Sequence, residues 1–193
     1  MRNFIPTFLT CTRLKLLGDC MNVFDAIKSR RSVRAFKRDA IKNDDLKKIL
    51  EAARWAPSAG NRQPLEIVVV KDEAIKQRLA QATRGQDFII DAPVVLVICA
   101  NMARTSSRYD ERGANLYCIQ DTAAAAQNIH LAAYALGYAT CWIGAFDEGK
   151  AAEVVDAPNG VRPVAIIPIG KPAEKPSAPQ RIPLSEIVHE EKY

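Results

Sequence analysis

The stretch MNVFDAIKSRRSVRAF, which spans Met21–Phe36, joins a short amphipathic segment to a dense cationic motif. Asn22 can cap a helix, and apolar residues follow it at helical spacing: Val23, Phe24 and Ile27. The motif Arg30-Arg31-Ser32-Val33-Arg34 comes next, with three guanidiniums and one hydroxyl in five residues. Such groups suit a phosphate, because they combine fixed charge with fork-shaped donors. A solvated basic turn explains the motif equally well, so the motif alone leaves both interpretations open.

Length and composition indicate one globular domain that needs no disulfides to build a core. The chain has 193 residues, of which 48% are hydrophobic, and a net charge of +5. Basic residues are dispersed except between Lys28 and Arg38, so the charge favours anionic ligands without indicating nucleic acid. No apolar stretch approaches the length of a membrane span. We therefore expect neither nucleic acid nor a membrane as a partner.

The cysteines and histidines give no metal-binding pattern. There are five cysteines and two histidines, and no CxxC pair occurs. This composition argues against a structural zinc site or a redox dithiol, and we expect no metal. The dispersed spacing of the cysteines fits a reducing, cytoplasmic location.

Residues 1–20 differ from the rest of the chain because they show neither a helical nor a strand period. They also lack the uniform apolar centre of a signal peptide. We interpret them as an N-terminal extension that is peripheral to the core, and residues 21–193 as a single domain.

Beyond Met21, segments with helical and strand patterns alternate. Helices are predicted after Asn43, over residues 73–83, over Ala114–Leu136 and over residues 148–155. Strands are predicted over Leu65–Val70, Val94–Ala100 and Val164–Ile169, with a turn or short strand over residues 138–146. The polar segment Asn101–Gly113 is expected to be a mobile loop, and the proline-containing tail after residue 171 to be extended. The pattern predicts an α/β or α+β class.

Phosphate-binding glycine loops are missing from the sequence. Neither GxGxxG nor GxxxxGK[ST] occurs, so a bound phosphate would have to be held by arginines.

Four segments in this order resemble the nitroreductase family of FMN-dependent flavoproteins. They are the arginine motif, the loop APSAGNRQP (residues 56–64), the segment LAAYALGYATCWIG (residues 131–144), and Gly170-Lys171-Pro172 with the later Arg181. The resemblance covers roughly residues 21–187. It implies an α+β sandwich with a mostly antiparallel central sheet flanked by helices, in an intertwined homodimer with FMN at the interface.

The resemblance also implies which residues contact the flavin. Arg30 and Ser32 would contact the phosphate and ribityl groups, with Arg181 as a second phosphate clamp, and Arg34 would approach the pyrimidine edge. From the partner subunit, the loop would lie against the ring through Pro57, Ser58, Ala59 and Asn61, with Gln63 as a further amide. The N–H groups of Gly144 and Ala145 would face N5 and O4. The remaining cofactor-binding candidates are Arg31, Gln86, Trp142, Ile143 and Lys171.

Two departures from the family pattern leave parts of this site open. Phe88 stands where some members carry a lysine, and Pro179 and Gln180 replace a lysine that often precedes the last arginine. The nicotinamide and substrate contacts are therefore less well defined than the phosphate contacts.

The implied reaction is a ping-pong transfer of hydride from NAD(P)H through flavin N5 to a nitroaromatic, a quinone or a similar small acceptor. No catalytic side chain is assigned, because the cofactor can supply the chemistry. An alternative is an FMN-binding offshoot with a specialised reaction or a flavin-holding role. A nucleic-acid binder that uses Lys28–Arg38 is a third hypothesis, which nothing else in the sequence supports.

Overall fold

The computed structural model describes residues 21–193, and the predicted extension over residues 1–20 lies outside the described residues. Six helices and five strands follow one another along this part of the chain. The helices are α1 (Val23–Ser29), α2 (Asn43–Arg54), α3 (Glu73–Ala82), α4 (Met102–Arg112), α5 (Cys118–Ala135) and α6 (Glu148–Val154). The strands are β1 (Phe36–Lys37), β2 (Leu65–Val70), β3 (Val94–Asn101), β4 (Ala139–Thr140) and β5 (Val161–Pro172).

The strands form one antiparallel sheet in the order β1-β5-β3-β2, and β4 also pairs with β5. Strand β3 is buried on both faces because helices cover both sides of the sheet. Val94, Leu96 and Ile98 pack with α2 and α5, while Val95, Val97 and Cys99 pack with α3 and α6. This two-sided burial explains why β3 is a continuous apolar run rather than an alternating one. The arrangement confirms the predicted α+β class with an antiparallel sheet between helices.

Helix α1 begins as the sequence indicates, since the Asn22 side chain accepts a hydrogen bond from the N–H of Phe24 at 2.9 Å. Its apolar residues, however, do not face the core. Val23 is 56%, Phe24 66% and Ile27 52% exposed, and Ala26 is the buried residue of the helix. A helix with its apolar side in solvent leaves surface available for another chain.

The segment Asn101–Gly113 is not a loop, and this prediction was wrong. It forms α4, whose first turn is capped by the side chain of Asn101. A short π-helical turn over Gly113–Tyr117 then leads into α5. The polar composition reflects the exposed position of α4 rather than a lack of structure. No helix among residues 21–193 is long and apolar enough to cross a membrane.

Candidate functional site

The arginine motif lies beside the segment that follows α5. The N–H of Val33 donates to the carbonyl of Thr140 at 3.1 Å, and Ser32 forms a parallel bridge with Thr140. Ser32 also lies against the thiol of Cys141. These contacts bring two of the four family segments together, as the resemblance implies.

Arg30 lies in a cluster of like charges. Burial, together with the neighbouring Arg31 and Arg181, lowers the pKa of the half-buried Arg30. No carboxylate forms an ion pair with these three arginines or with Arg34 anywhere in residues 21–193. Arg30 and Arg31 are partly removed from water, whereas Arg34 and Arg181 are exposed. Clustered guanidiniums that form no ion pair favour the binding of an anion.

A cavity of about 500 Å³ opens at this cluster. Its walls come from the end of α1, from the turn after α5 and from the chain after β5, and they include Arg30, Arg31, Thr140, Glu174 and Lys175. Glu174 also accepts a hydrogen bond from the backbone N–H of Arg34. Of the predicted site residues, Arg30 and Arg31 line this cavity, whereas the other predicted cations, together with Gly144 and Ala145, are not among its walls.

Two of the predicted cofactor-binding cations, Arg31 and Lys171, donate hydrogen bonds to backbone carbonyls of the protein itself. The Arg31 guanidinium donates to the carbonyls of Lys28 and Arg30 at 2.6 and 2.8 Å, which satisfies the end of α1. The Lys171 ammonium donates to the carbonyl of Gly137 at 3.0 Å and lies over the Tyr138 ring. Contacts from these two residues to a cofactor stay predictions.

The segment Trp142–Ala145 presents backbone N–H groups at the protein surface. Ile143 is buried, and both its N–H and its carbonyl are paired with Ile166. Gly144 and Ala145 are exposed, and their N–H groups have no hydrogen-bond partner among the described residues. Two free adjacent N–H groups can donate to the heteroatoms of a flat ring, and a small residue such as Gly144 allows that approach. Trp142, which is 41% exposed, stands next to them.

Gln86 lies close to the segment Trp142–Ala145, because the residues just before Gln86 contact the end of that segment. The N–H of Arg84 donates to the carbonyl of Ala145 at 3.4 Å, and Thr83 pairs with Phe146. Phe88, in contrast, is half-buried and contacts the Phe36 ring. The departure from the family pattern at Phe88 thus serves the packing of the core.

The loop over residues 57–64 holds an unusual backbone conformation. Gly60, Asn61 and Gln63 have φ values of +51°, +54° and +48°. Positive φ is unfavourable for residues with a side chain, so such a loop persists only when its surroundings fix it. A Cβ atom at position 60 would also lie 2.5 Å from the Tyr109 hydroxyl, so a larger residue there requires the Tyr109 side chain to shift.

Four side chains fix this loop. The Asp121 carboxylate on α5 accepts the N–H of Ala59 at 3.0 Å, and Arg104 on α4 donates to the carbonyl of Gln63 at 2.9 Å. Arg62 donates to the carbonyl of Arg104 at 2.8 Å, and the Ser58 hydroxyl accepts the N–H of Gln63 at 3.0 Å. Because α4 holds the loop, the segment expected to be mobile instead supports one part of the predicted site.

Asp121 is a site residue that sequence reasoning missed. Its second carboxylate oxygen is buried without a hydrogen-bond partner in the described part of the chain, and burial raises its pKa. It faces a cavity of about 130 Å³ that is also lined by Pro57 and Ser58. The sequence places an acid in the first turn of α5, but nothing in it indicates the contact with a distant loop.

His130 is a second residue that was not foreseen. Its side chain is 2% exposed, stacks on Trp142 and pairs with the Thr140 hydroxyl at 2.6 Å. Burial and the nearby Arg30 charge lower the pKa of His130 to about 4, so the ring is neutral at physiological pH. The neutral His130 ring therefore packs between Trp142 and the arginine motif.

Comparisons with known proteins agree with this arrangement. The model of the Nitroreductase family matches residues 27–86 and 82–171. The chain belongs to the nitroreductase family. This membership confirms the resemblance seen in the sequence and the prediction of an oxidoreductase enzyme.

Individual relatives match over most of their length. An NADH dehydrogenase from Thermus thermophilus is 32% identical over 190 residues, which covers 84% of this chain and 93% of that protein. A nitroreductase family structure from Clostridium difficile is 31% identical with a TM-score of 0.78, covering 90% of this chain and all of that one. The NADPH:FMN oxidoreductase of Vibrio harveyi, solved with NAD+, has a TM-score of 0.82 at 27% identity, covering 90% of this chain and 78% of that one.

Proposed function

We propose that the protein is an FMN-dependent oxidoreductase that transfers hydride from NAD(P)H to a nitroaromatic, a quinone or a similar small acceptor. The observation that carries this proposal is the cluster of Arg30, Arg31 and Arg181, none of which forms an ion pair within residues 21–193. The unpaired N–H groups of Gly144 and Ala145, on the segment that follows Cys141, supply a second set of donors. A phosphate-bearing ligand with a flat heteroatomic ring would satisfy both groups of donors. The Vibrio harveyi relative, named as an NADPH:FMN oxidoreductase, supports the choice of FMN and a nicotinamide nucleotide.

The residues present fit such a cofactor. Arg30 and Arg181 would hold its phosphate, and Ser32 would add a neutral donor. Gly144 and Ala145 would donate to the ring edge, while Arg34 would stabilise negative charge that develops on the ring during reduction. Bound FMN would supply hydride acceptance and donation at N5, which no side chain of this protein can provide.

We expect no side chain of this protein to act as an essential catalytic acid, base or metal ligand. No group of three or more potential metal ligands occurs within residues 21–193. The one buried histidine is neutral and enclosed, which makes it a poor acid at physiological pH. The role of the protein would therefore be to bind, orient and polarise the cofactor and its substrates.

The site would be completed in a homodimer. A single chain leaves several large apolar side chains exposed, among them Val23, Phe24 and Ile27 on α1 and Leu184, Ile187 and Val188 in the tail. Exposed apolar surface of this kind marks association with another chain. Helix α5, with half-buried alanines on its outer side, is the candidate contact helix, and the loop over residues 57–64 would reach the flavin of the partner subunit.

An absorption spectrum and a rapid-reaction experiment test the proposal. The purified protein should show the bands of oxidised flavin, and NADH or NADPH should bleach them under anaerobic conditions. Addition of a quinone or a nitroaromatic should then restore the bands. A colourless protein that fails to take up FMN contradicts the proposal.

A protein that binds flavin but is reduced by neither NADH nor NADPH has a different meaning. It favours the alternative hypothesis of an FMN-binding offshoot with a specialised reaction or a flavin-holding role. Light scattering tests the homodimer separately. A monomer at micromolar concentration would leave the loop over residues 57–64 without a partner flavin, and the two-subunit site would be wrong.

A further inference from the structure

Helix α4 and the loop it supports carry a group of guanidiniums with few counter-charges. Arg104 and Arg108 are one helical turn apart on α4, and Arg62 projects from the loop. Glu66 is the acid that pairs with this group, through Arg104. Asp110 and Glu111 follow Arg108 on the helix but form no ion pair with it within residues 21–193. A guanidinium without a paired carboxylate at the surface can attract an anionic ligand.

Two of these three arginines are used by the protein itself. Arg104 pairs with Glu66 and donates to the carbonyl of Gln63. Arg62 donates to the carbonyl of Arg104 and to the hydroxyl of Ser107 at 2.6 Å. Both guanidiniums thus fix the loop against α4, and their donors are largely occupied.

Arg108 is different. Its side chain is exposed and forms neither an ion pair nor a hydrogen bond with any residue between 21 and 193. It lies over the Tyr109 ring at 5.5 Å and close to Gly60, where a side chain would come within 3.2 Å of its guanidinium. The guanidinium is thus held at the strained loop by packing, with its donors directed at no protein acceptor.

We propose that Arg108 binds a phosphate group of the reduced nicotinamide dinucleotide and thereby determines nucleotide affinity. This inference rests on the proposed function, in which the loop beside Arg108 lies against the flavin and the nicotinamide must stack on that flavin. The rest of the dinucleotide then extends past the loop, and it carries a diphosphate and, in NADPH, a 2′-phosphate. A guanidinium is suited to either group because it presents paired N–H donors to phosphate oxygens.

Arg112 provides a matched control on the same helix. Its guanidinium donates to the Tyr117 hydroxyl at 2.9 Å and lies over that ring, beyond the break in α4 at Tyr109 and Asp110. Removing its charge changes the net charge of the protein by the same amount as removing that of Arg108. It leaves the loop and the flavin-facing surface untouched.

The test compares Arg108→Gln, Arg108→Lys and Arg112→Gln in the full-length protein loaded with FMN. Calorimetric titration with NADP+ and with NAD+ reports binding without turnover, and steady-state kinetics report KM and kcat for NADPH and NADH. Arg108→Gln should weaken NADP+ by about tenfold to a hundredfold, the usual range for one lost charge-assisted contact. KM for NADPH should rise with kcat unchanged. Arg108→Lys should have an affinity between those of the wild type and Arg108→Gln, because it keeps the charge but loses the paired donors, and Arg112→Gln should change the affinity less than twofold.

A comparison of NADP+ with NAD+ shows which phosphate group Arg108 contacts. A loss confined to NADP+ assigns Arg108 to the 2′-phosphate, and an equal loss for NAD+ assigns it to the diphosphate. The inference is overturned if Arg108→Gln and Arg112→Gln have the same effect, or if Arg108→Gln lowers kcat and flavin content instead of nucleotide affinity. Failure of the proposed function is seen separately, as a protein without flavin or one that no nucleotide reduces.

Discussion

The N–H of Ala59 donates a hydrogen bond to the Asp121 carboxylate at 3.0 Å, which ties the loop over residues 57–64 to helix α5. The two residues are far apart in sequence, and the contact lies where the loop carries its unfavourable φ values. Asp121 is thus one of the groups that hold the loop in a conformation it would not adopt alone.

Replacing Asp121 should release this loop. We expect Asp121→Ala to lower the free energy of unfolding by about 1–3 kcal/mol, because a partly buried N–H loses its acceptor. Amide hydrogen exchange should accelerate in residues 57–64. Asp72→Ala is the matched control, since Asp72 accepts one N–H at the start of α3 at 2.9 Å. If both variants leave the exchange of residues 57–64 equally protected, Asp121 does not fix the loop.

Removal of the phosphate-directed charges should weaken FMN selectively. Arg30→Ala and Arg181→Ala should each raise the Kd of FMN by about tenfold to a hundredfold, from the loss of one charge-assisted contact of ~1.5–3 kcal/mol. Riboflavin, which lacks the phosphate, should bind both variants as it binds the wild type. Arg38→Ala, which removes a charge paired with Asp91, is the control. Equal losses for FMN and riboflavin would show that these arginines act on folding rather than on the phosphate.

Arg34 should affect reduction more than binding. Its positive charge favours electron uptake by a flavin whose pyrimidine edge is nearby, so Arg34→Ala should lower the midpoint potential of bound FMN and slow its reduction by nicotinamide. Spectroelectrochemistry and anaerobic stopped-flow measurements give the two quantities, with Lys37→Ala as the charge control. A variant with unchanged potential but weak FMN binding would place Arg34 among the phosphate contacts.

The buried His130 should make the protein sensitive to acid. Its pKa is about 4 in the folded protein against an ordinary value of 6.5, so the unfolded chain takes up this proton first as the pH falls. The free energy of unfolding should therefore decrease between pH 6.5 and pH 4, by up to about 3 kcal/mol from this residue. His130→Gln should flatten this part of the pH profile in chemical denaturation. Parallel profiles for both proteins would contradict the assignment.

Residues 1–20 should be dispensable. A chain that starts at Met21 retains the cap of α1 and every contact of the candidate site described above, so it should keep its FMN and nearly all of its thermal stability. An insoluble or colourless truncated protein would show that the segment packs on the core.

The regular elements could be predicted from the sequence wherever burial determines the pattern. The strand predicted over Leu65–Val70 has the same bounds as β2. The strand predicted over Val94–Ala100 is one residue shorter than β3, which ends at Asn101. Helix α4 was missed because an exposed, polar helix has no apolar stripe to reveal it. The Asn101 cap and the ion pair between Arg104 and Glu66 hold it in place, and of these only the cap is visible in the sequence.

The candidate site was predictable to the extent that it consists of contiguous motifs. The arginine motif and Gly144-Ala145 were recognised from the resemblance, and in the structure the arginine motif contacts Thr140 and Cys141. Asp121 and His130 were not, because their roles arise from long-range contacts with Ala59 and Trp142. A single sequence cannot distinguish such residues from an ordinary first-turn acid or an ordinary residue of a buried helix.

The hydrogen bond between Val33 and Thr140, and the proximity of Arg30 to the distant Arg181, also bear on how the protein is made. A ribosome completes the arginine motif early, adds Thr140 more than a hundred residues later and adds Arg181 only near the end of synthesis. Contacts between residues so far apart in the chain form slowly and late. A nascent chain therefore exposes the arginine motif without these contacts throughout most of translation. If Arg181 holds the FMN phosphate as proposed, FMN would bind only after the tail has left the ribosome.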